Sequence, residues 1–386
     1  MLCKVSFCLR REQDAMPTVN SDVSKDSRFI ESIINGMYDW VRVLDRNDNI
    51  LYINDAMSQA LGNPPLGEKC YKLLGRSAPC EACISRMTVF HGHPHEKEEI
   101  INEKIYSVMS SPIKNEAGEV TAVVEVLRDV TLMKQLQKQL LLQNKRLQED
   151  LDMAKKLQCS LLPKNLPEDK LNFSFLYKPC ESLGGDFLDI FPIDKDHVGV
   201  YIADVSGHGV SASMLTVFLR SAINKRTLSP AKALSELYKE FNSSSFDQDF
   251  YITVFYAIID TEDKEIIYSN AGHNVSPIIF NTDRFELLRV PGIPISNWLK
   301  EPSYQNRRLK FSTGDRLFLY TDGIVEIKNE RDEQYGEERL LNILLNDPGT
   351  PNGILNRIMD NACEFAGIND VVTIPDDITI GLLEMK

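Results

Sequence analysis

Four acidic motifs in this 386-residue chain share one setting, at or just beyond an apolar run with glycine or a second acid alongside: GGDFLD with Asp186, ADVSGHG with Asp204, YTDGIVE with Asp322, and PDDITI with Asp376 and Asp377. Loops at strand ends are where rigid scaffolds place reactive groups. Each motif alone reads as ordinary turn chemistry, an aspartate beside a glycine; four together call for another account. Hard carboxylate oxygens without accompanying His or Cys ligands favour Mg2+ or Mn2+ over zinc. Two such ions about 3.5–4 Å apart share a water, lower its pKa and aim it at phosphorus for in-line displacement. One carboxylate between them neutralises both cations, and the glycines allow close approach. The chemistry this points to is hydrolysis of a phosphomonoester without a covalent enzyme intermediate.

The bulk properties fit that chemistry only if cations are present. The formal charge is −13, with 43% apolar and 26% charged residues. Such a balance argues against a broad nucleic-acid footprint, which needs clustered Lys and Arg, and it repels a phosphorylated substrate unless cations reverse the local sign. No apolar run of 18 residues occurs, so no membrane-spanning helix is expected, and MLCKVSFCLRR is a poor secretory signal; a cytoplasmic protein is the expectation. At roughly 150 residues per domain, the length predicts two or three domains. Residues 1–26 read as a flexible tail.

From Asp26 to Thr131 the pattern predicts a helix, a strand, a turn at Arg46-Asn47-Asp48-Asn49, a second strand, a helix, and later strand-like runs around Asn115-Glu116-Ala117-Gly118. This order, closing on RDVT (Arg128 to Thr131), resembles a PAS sensor domain over residues 27–131. Residues 132–162 follow as a helical linker; no Gly or Pro interrupts Leu132 to Leu161. Every seventh residue from Met133 gives Met133, Leu140, Leu147, Ala154 and Leu161, while the intervening seam carries Leu136, Gln143, Asp150 and Leu157. Two readings stay open: a parallel coiled coil, or a helix packed on its own domains. Pro163 and Pro167 close it.

Residues 163–386 read as strands and helices, with VGVYIADVSG a strand, GVSASMLTVFLRSAINKR and SPAKALSELYKEFN helices, and a hairpin turning at Thr261-Glu262-Asp263-Lys264. Here the pieces LQCSLLPKNLP, ESLGGDFLDIF, VYIADVSGHGVSASMLT, YITVFYAIID, NAGHNVSP, TGDRLFLYTDGIVE and DDITIGLL resemble, in order, the SpoIIE-type branch of metal-dependent (2C-class) serine/threonine phosphatases. With a PAS domain ahead, the chain is similar to regulator phosphatases of sigma-factor partner switching. The resemblance implies an α+β protein whose catalytic part is a four-layer α/β/β/α sandwich. It implies that Asp204 bridges two Mn2+ or Mg2+ ions, that the Val205 carbonyl and Asp186 serve the second, and that Asp322 and Asp376 hold the first. Asp377 would join them, although related phosphatases often carry an amide there. The implied partner is a phosphorylated anti-anti-sigma-type (STAS-like) protein, and the implied assembly a homodimer through the sensor and linker.

Some features depart from that pattern. Larger eukaryotic relatives have a histidine two residues after the bridging aspartate; this chain has Ser206, with His208 further on. His208 and His273 are expected to structure loops, and Asp189 to matter less than Asp186. GGDF also resembles the GGDEF signature of nucleotide cyclases, but the glutamate and the basic phosphate-binding elements are absent. A cysteine phosphatase lacks its arginine near Cys180 or Cys363. The rival from another class is a catalytically inactive partner-binding module, against which stands the survival of every metal acid. In the sensor, Cys70, Cys80 and Cys83 lie near His91, His93 and His95 in sequence; a zinc or iron–sulfur site, or thiols without a ligand, are both open. A signal in the sensor is expected to act through the linker on the helix that follows Asp204.

Overall fold

Short polar side chains set the first reversal of the chain. Asp45 accepts hydrogen bonds from the amides of Asn47 and Asn49, both at 2.8 Å, and Asp48 takes a φ of 65°, which closes the flanking strands into a hairpin. The structure, a computed structural model, describes residues 27–163, 170–244, 246–282, 284–299, 302–367 and 374–386. The tail expected over 1–26 and Pro167 lie outside the described residues.

The first unit contains α1 (Ser27–Asn35), β1 (Trp40–Asp45), β2 (Ile50–Ile53), α2 (Asp55–Ala60), α3 (Cys70–Leu73), α4 (Ile84–His91), β3 (His95–Ile101), β4 (Lys104–Lys114) and β5 (Val120–Asp129). Its strands form one antiparallel sheet in the order β2-β1-β5-β4-β3, with Leu44, Val108, Val123 and Leu127 fully buried. The RDVT step has a physical job: Asp129 bonds Lys104 and the amide and hydroxyl of Thr131. Those bonds, that to Lys104 foremost, hold the Asp129 carboxyl down to about 2 and start α5 (Thr131–Leu161), one unbroken helix of 31 residues. The chain divides into two compact units between Lys145 and Arg146, inside this helix.

The second unit adds β6 (Leu171–Lys178), β7 (Phe187–Pro192), β8 (His197–Val205), α6 (Gly209–Ala222), α7 (Pro230–Ser243), β9 (Ile252–Asp260), β10 (Glu265–Ala271), β11 (Ile278–Phe280), β12 (Phe285–Leu287), β13 (Arg307–Lys310), β14 (Arg316–Tyr320), α8 (Gly336–Asn346), α9 (Pro351–Ala366) and β15 (Ile378–Met385). Two five-stranded sheets result, β13-β10-β9-β8-β7 and β12-β11-β14-β15-β6. Alternation along the strands divides the apolar residues between two faces. Val200, Ile202, Phe255 and Ala257 of one sheet meet Leu317, Leu319 and Leu383 of the other in the central layer. The opposite faces pack outward: Tyr201, Ala203 and Val254 against Leu215, Leu219, Leu237 and Phe241 of α6 and α7, and Phe318, Tyr320 and Ile380 against Leu340, Leu344, Ile354 and Ile358 of α8 and α9. The result is the four-layer α/β/β/α sandwich implied by the sequence.

Helices α8 and α9 add to the elements expected from sequence, although their signals are present. Thr350 caps α9, its hydroxyl accepting from Gly353 N at 3.4 Å with Pro351 in the first turn, and the buried residues recur at helical spacing. Segments α3 and α4 of the first unit are likewise additions, in a stretch whose cysteines and histidines stand out as ligands more than as helix formers.

Candidate metal centre

Strand register carries the acidic motifs to one edge of the sandwich. Phe187 pairs with Ala203, so Asp186 just before β7 and Asp204 near the end of β8 are neighbours across an antiparallel pair. In the other sheet Tyr320 pairs with Ile380, and Thr321 N donates to Thr379 O at 3.0 Å. Asp322, opening a single 3-10 turn after β14, therefore stands beside Asp376 and Asp377, which precede β15.

Hydrogen bonds tie the two edges together. Thr321 Oγ1 donates to Asp186 Oδ2 at 2.7 Å and accepts from Thr379 N at 3.0 Å. Asp377 crosses the other way, accepting from Cys180 N at 2.7 Å and Gly185 N at 2.5 Å. Both Asp377 oxygens thus anchor the loop that presents GGD, while the neighbouring Asp376 is exposed. Asn274 Nδ2 donates to Asp322 Oδ2. Glycine is required at two contacts: a Cβ on Gly185 would stand 3.0 Å from Val205 O, and one on Gly323 only 2.0 Å from Asp377 O. Val205 O therefore packs closely on Gly185, next to Asp186, and a larger residue at 185 would press on it.

The electrostatics of this edge are those of a site made for cations. Burial, followed by Asp322, Asp376 and Asp377, pushes Asp204 up to about 7. Burial, followed by Asp204, drives Asp186 well above the usual carboxylate range, against the opposing bond from Thr321. Asp376, the most open of the three, is raised as well, by the partial burial of its carboxyl and then by Asp322 and Asp377. Like charges gathered at low solvent access are costly unless cations neutralise them. The donor set is oxygen throughout, which matches Mg2+ or Mn2+. Cys180 lies close enough to Asp376 and Asp377 to count as a ligand by distance, but burial and Asp377 push its thiol up to about 12, so it stays protonated and is no nucleophile.

The histidines and Ser206 hold backbone. His273 is buried and donates from Nε2 to Tyr320 O at 3.0 Å, with Nδ1 3.4 Å from the Thr253 hydroxyl, which itself donates to Asp204 O at 3.1 Å. This stitches the two sheets directly behind Asp204 and Asp322. Burial depresses His273 to about 4, so the ring is neutral. The Ser206 hydroxyl bonds Tyr251 N and Asp249 O, which commits it to the loop. His208 is exposed and pairs with Glu181 at 3.0 Å.

Sequence reasoning missed four positioning residues: Thr321, Asn274, Thr379 and Gln158. Thr321 and Asn274 sit next to motif residues and had a local signal; Gln158 had none. It is 4% exposed near the end of α5, donates from Nε2 to Gly184 O at 2.7 Å and accepts from Gly184 N at 3.3 Å.

The sensor thiols, for which the sequence leaves both readings open, occupy three separate settings. Cys70 is buried in α3, Cys80 accepts from Arg76 Nη1 at 3.0 Å, and Cys83 precedes α4. Among the described residues the three sulfurs belong to no convergent ligand group; His91, His93 and His95 do. Burial lifts Cys70 to about 11, which keeps it a thiol.

Comparison with known proteins agrees with this architecture. The family model for stage II sporulation protein E (SpoIIE) matches residues 194–386, half of the chain, and a PAS domain model matches residues 28–93. Phosphoserine phosphatase RsbP of Bacillus subtilis is 31% identical over 186 residues, 46% of this chain and 45% of RsbP; the match spans a little under half of that relative. Phosphoserine phosphatase RsbU of the same organism is 23% identical over 253 residues, 64% of this chain and 75% of RsbU. The SiaA-PP2C domain of Pseudomonas aeruginosa has a TM-score of 0.55 at 21% identity, covering 63% of this chain and 98% of that domain, which shows a common fold.

Proposed function

The chain belongs to the SpoIIE family, and on that premise we propose that it is a metal-dependent protein serine/threonine phosphatase acting on a small phosphorylated regulatory protein of the anti-anti-sigma (STAS-like) type. The observation that carries this reading is the gathering of Asp186, Asp204, Asp322 and Asp376 at one edge, where burial and mutual repulsion raise Asp186, Asp204 and Asp376. Two Mn2+ or Mg2+ ions, when bound, supply Lewis-acid activation of water and neutralise the charge of the phosphate.

The chain's own residues do the rest. Asp204, shared between the sheets' two acidic groups, would be the bridging carboxylate. Asp322 and Asp376 would hold one ion, and Asp186 with the Val205 carbonyl the other. Thr321 and Asn274 fix the rotamers of Asp186 and Asp322, and Asp377 keeps the GGD loop in place. Exposed His208 and Glu181 stand at the site's rim, where a phosphoprotein would dock. The PAS domain would supply regulation through α5, whose Leu136, Leu140, Leu147 and Leu157 are all more than half exposed and would pair in a homodimer. No helix among the described residues is long and apolar enough to cross a membrane; a cytoplasmic setting is part of the proposal.

The test is phosphate release from a phosphorylated STAS-like protein by the full chain with Mn2+, with Mg2+ and with chelator. Release that requires the metal and is lost in Asp204→Asn is the expected result. A chain that binds the phosphoprotein but releases no phosphate under any metal would instead be an inactive binding module of the same fold.

A further inference from the structure

In the sensor the three imidazoles of HGHPH cluster on one side of a turn. His91 is the last residue of α4, His95 the first of β3, and Gly92, with a φ of 69°, turns the chain between them. One ring nitrogen of each histidine lies within 4.8 Å of the others. His91 Nδ1 is 3.3 Å from His95 Nε2, and the His93 and His95 rings stack with centroids 4.5 Å apart.

The outward nitrogen of His95 is fixed by a buried partner. Thr88, fully buried, places Oγ1 3.2 Å from His95 Nδ1 and 3.3 Å from Ser110 O. The carbonyl only accepts, so the hydroxyl proton goes to Ser110 and the hydroxyl oxygen accepts from His95 Nδ1–H. Nε2 of His95 is then a bare lone pair facing His91. His93 Nδ1 lies 3.3 Å from Pro94 O, which sets the same tautomer and leaves its Nε2 bare. A ring nitrogen oriented by a hydrogen bond from the opposite nitrogen is the usual support of a metal-binding imidazole. Across the 3.3 Å between His91 Nδ1 and this lone pair, either a proton on His91 or a cation shared by both nitrogens fills the gap.

We propose that His91, His93 and His95 form a site for one divalent transition ion of the Zn2+, Ni2+ or Co2+ class, with imidazole ligands only and at least one position open to solvent. His91 Nδ1 and His95 Nε2 are two of the donors, and a ring nitrogen of His93 is the third. Neutral imidazoles select these ions over Mg2+ and Mn2+, so this site and the acidic edge of the catalytic unit take different metals. Binding would clamp the end of α4 to the edge strand β3, making metal a signal to the sensor. The neighbouring thiols take no part.

The test is titration of the full chain with Co2+ in excess Mg2+, which keeps the acidic edge filled. One equivalent should bind with visible d–d absorption and without a thiolate charge-transfer band. His93→Asn, at an exposed position, should weaken binding at least about tenfold while its circular dichroism and melting temperature stay unchanged, and Cys80→Ser/Cys83→Ser should bind as before. Absence of Co2+ binding, a thiolate band, or undiminished affinity in folded His93→Asn would overturn the proposal.

Discussion

Gln158 and Gly184 exchange two hydrogen bonds, the side-chain amide meeting the backbone C=O at 2.7 Å and N–H at 3.3 Å. The glycine is two residues ahead of Asp186, and the glutamine is a turn from the end of α5. The pair therefore links the placement of this helix to that of a carboxylate in the metal centre. Gln158→Ala leaves two buried backbone groups without partners, which costs about 1–3 kcal/mol locally, and it frees the GGD loop. The expected outcome is a 10–100-fold rise in the Mn2+ concentration needed for half-maximal phosphate release. An unchanged metal titration would show that the loop is held without α5.

Thr321 serves as a clamp between the sheets through Asp186 on one side and Thr379 N on the other. Thr321→Val keeps shape and removes both bonds; Thr321→Ser keeps the hydroxyl. Metal affinity should fall about tenfold or more in the valine variant and largely return in the serine variant. If both variants lose affinity equally, the methyl packing and not the hydroxyl positions Asp186.

Much of this arrangement was legible in the sequence, for identifiable reasons. The acidic motifs announce themselves because reactive loops at strand ends need Asp for chemistry and Gly for close approach, as at Gly185 and Gly323. The hairpin at Thr261–Lys264 was legible because a short polar run separates two long apolar strands, although the φ of 52° at Lys264 is one that a lysine does not announce. Gln158 was not, since a glutamine in a polar helix carries no mark of burial; only the packing of the helix end against Gly184 and Thr216 makes it exceptional. The sensor thiols were ambiguous for the opposite reason. Their spacing is that of a ligand pair, but α3 buries Cys70 and Arg76 takes Cys80, and the convergent nitrogens come from a turn whose geometry depends on the left-handed Gly92.

Asp189, three residues after Asp186, belongs to another structure. It is 3% exposed, bonds Lys225 Nζ, and has Arg220 Nε at 3.7 Å, which pins the end of α6 to β7. Asp189→Ala would leave both cations without their carboxylate. Because the Lys225 side chain is 29% exposed, the cost is expected at about 2–4 kcal/mol, under that of a fully buried pair. Chemical denaturation should show this loss, while phosphate release per folded molecule at low temperature should stay within a few-fold. Complete loss of turnover in a folded Asp189→Ala protein would place it in the catalytic machinery.

The sharpest pH dependence should come from Asp204. Its carboxyl is moved from 3.8 to about 7 in the folded, metal-free protein, by burial first and then by Asp322, Asp376 and Asp377. The folded state therefore binds this proton more tightly than the unfolded chain does. The resulting stability is fully present below about pH 4 and is lost as pH rises through about 7. Metal-free protein should accordingly lose stability on going from pH 5 to pH 8, by about 2.6 kcal/mol from this group alone, since each tenfold difference in proton affinity between the two states is about 1.4 kcal/mol and part of the gain is already lost between pH 4 and pH 5. Asp204→Asn should reduce that slope, leaving the part that Asp186 and Asp376 contribute, and stabilise the metal-free protein at pH 8, although it removes the bridging ligand. Mn2+ binding must expel the same proton, so affinity should rise with pH up to about 7 and then level off. Calorimetry in buffers of different ionisation enthalpy should count at least about one proton released per site near pH 6 and fewer near pH 9. A metal-free stability that is flat across this range in wild-type protein, or that slopes equally in Asp204→Asn, would show that the raised carboxyl is not Asp204.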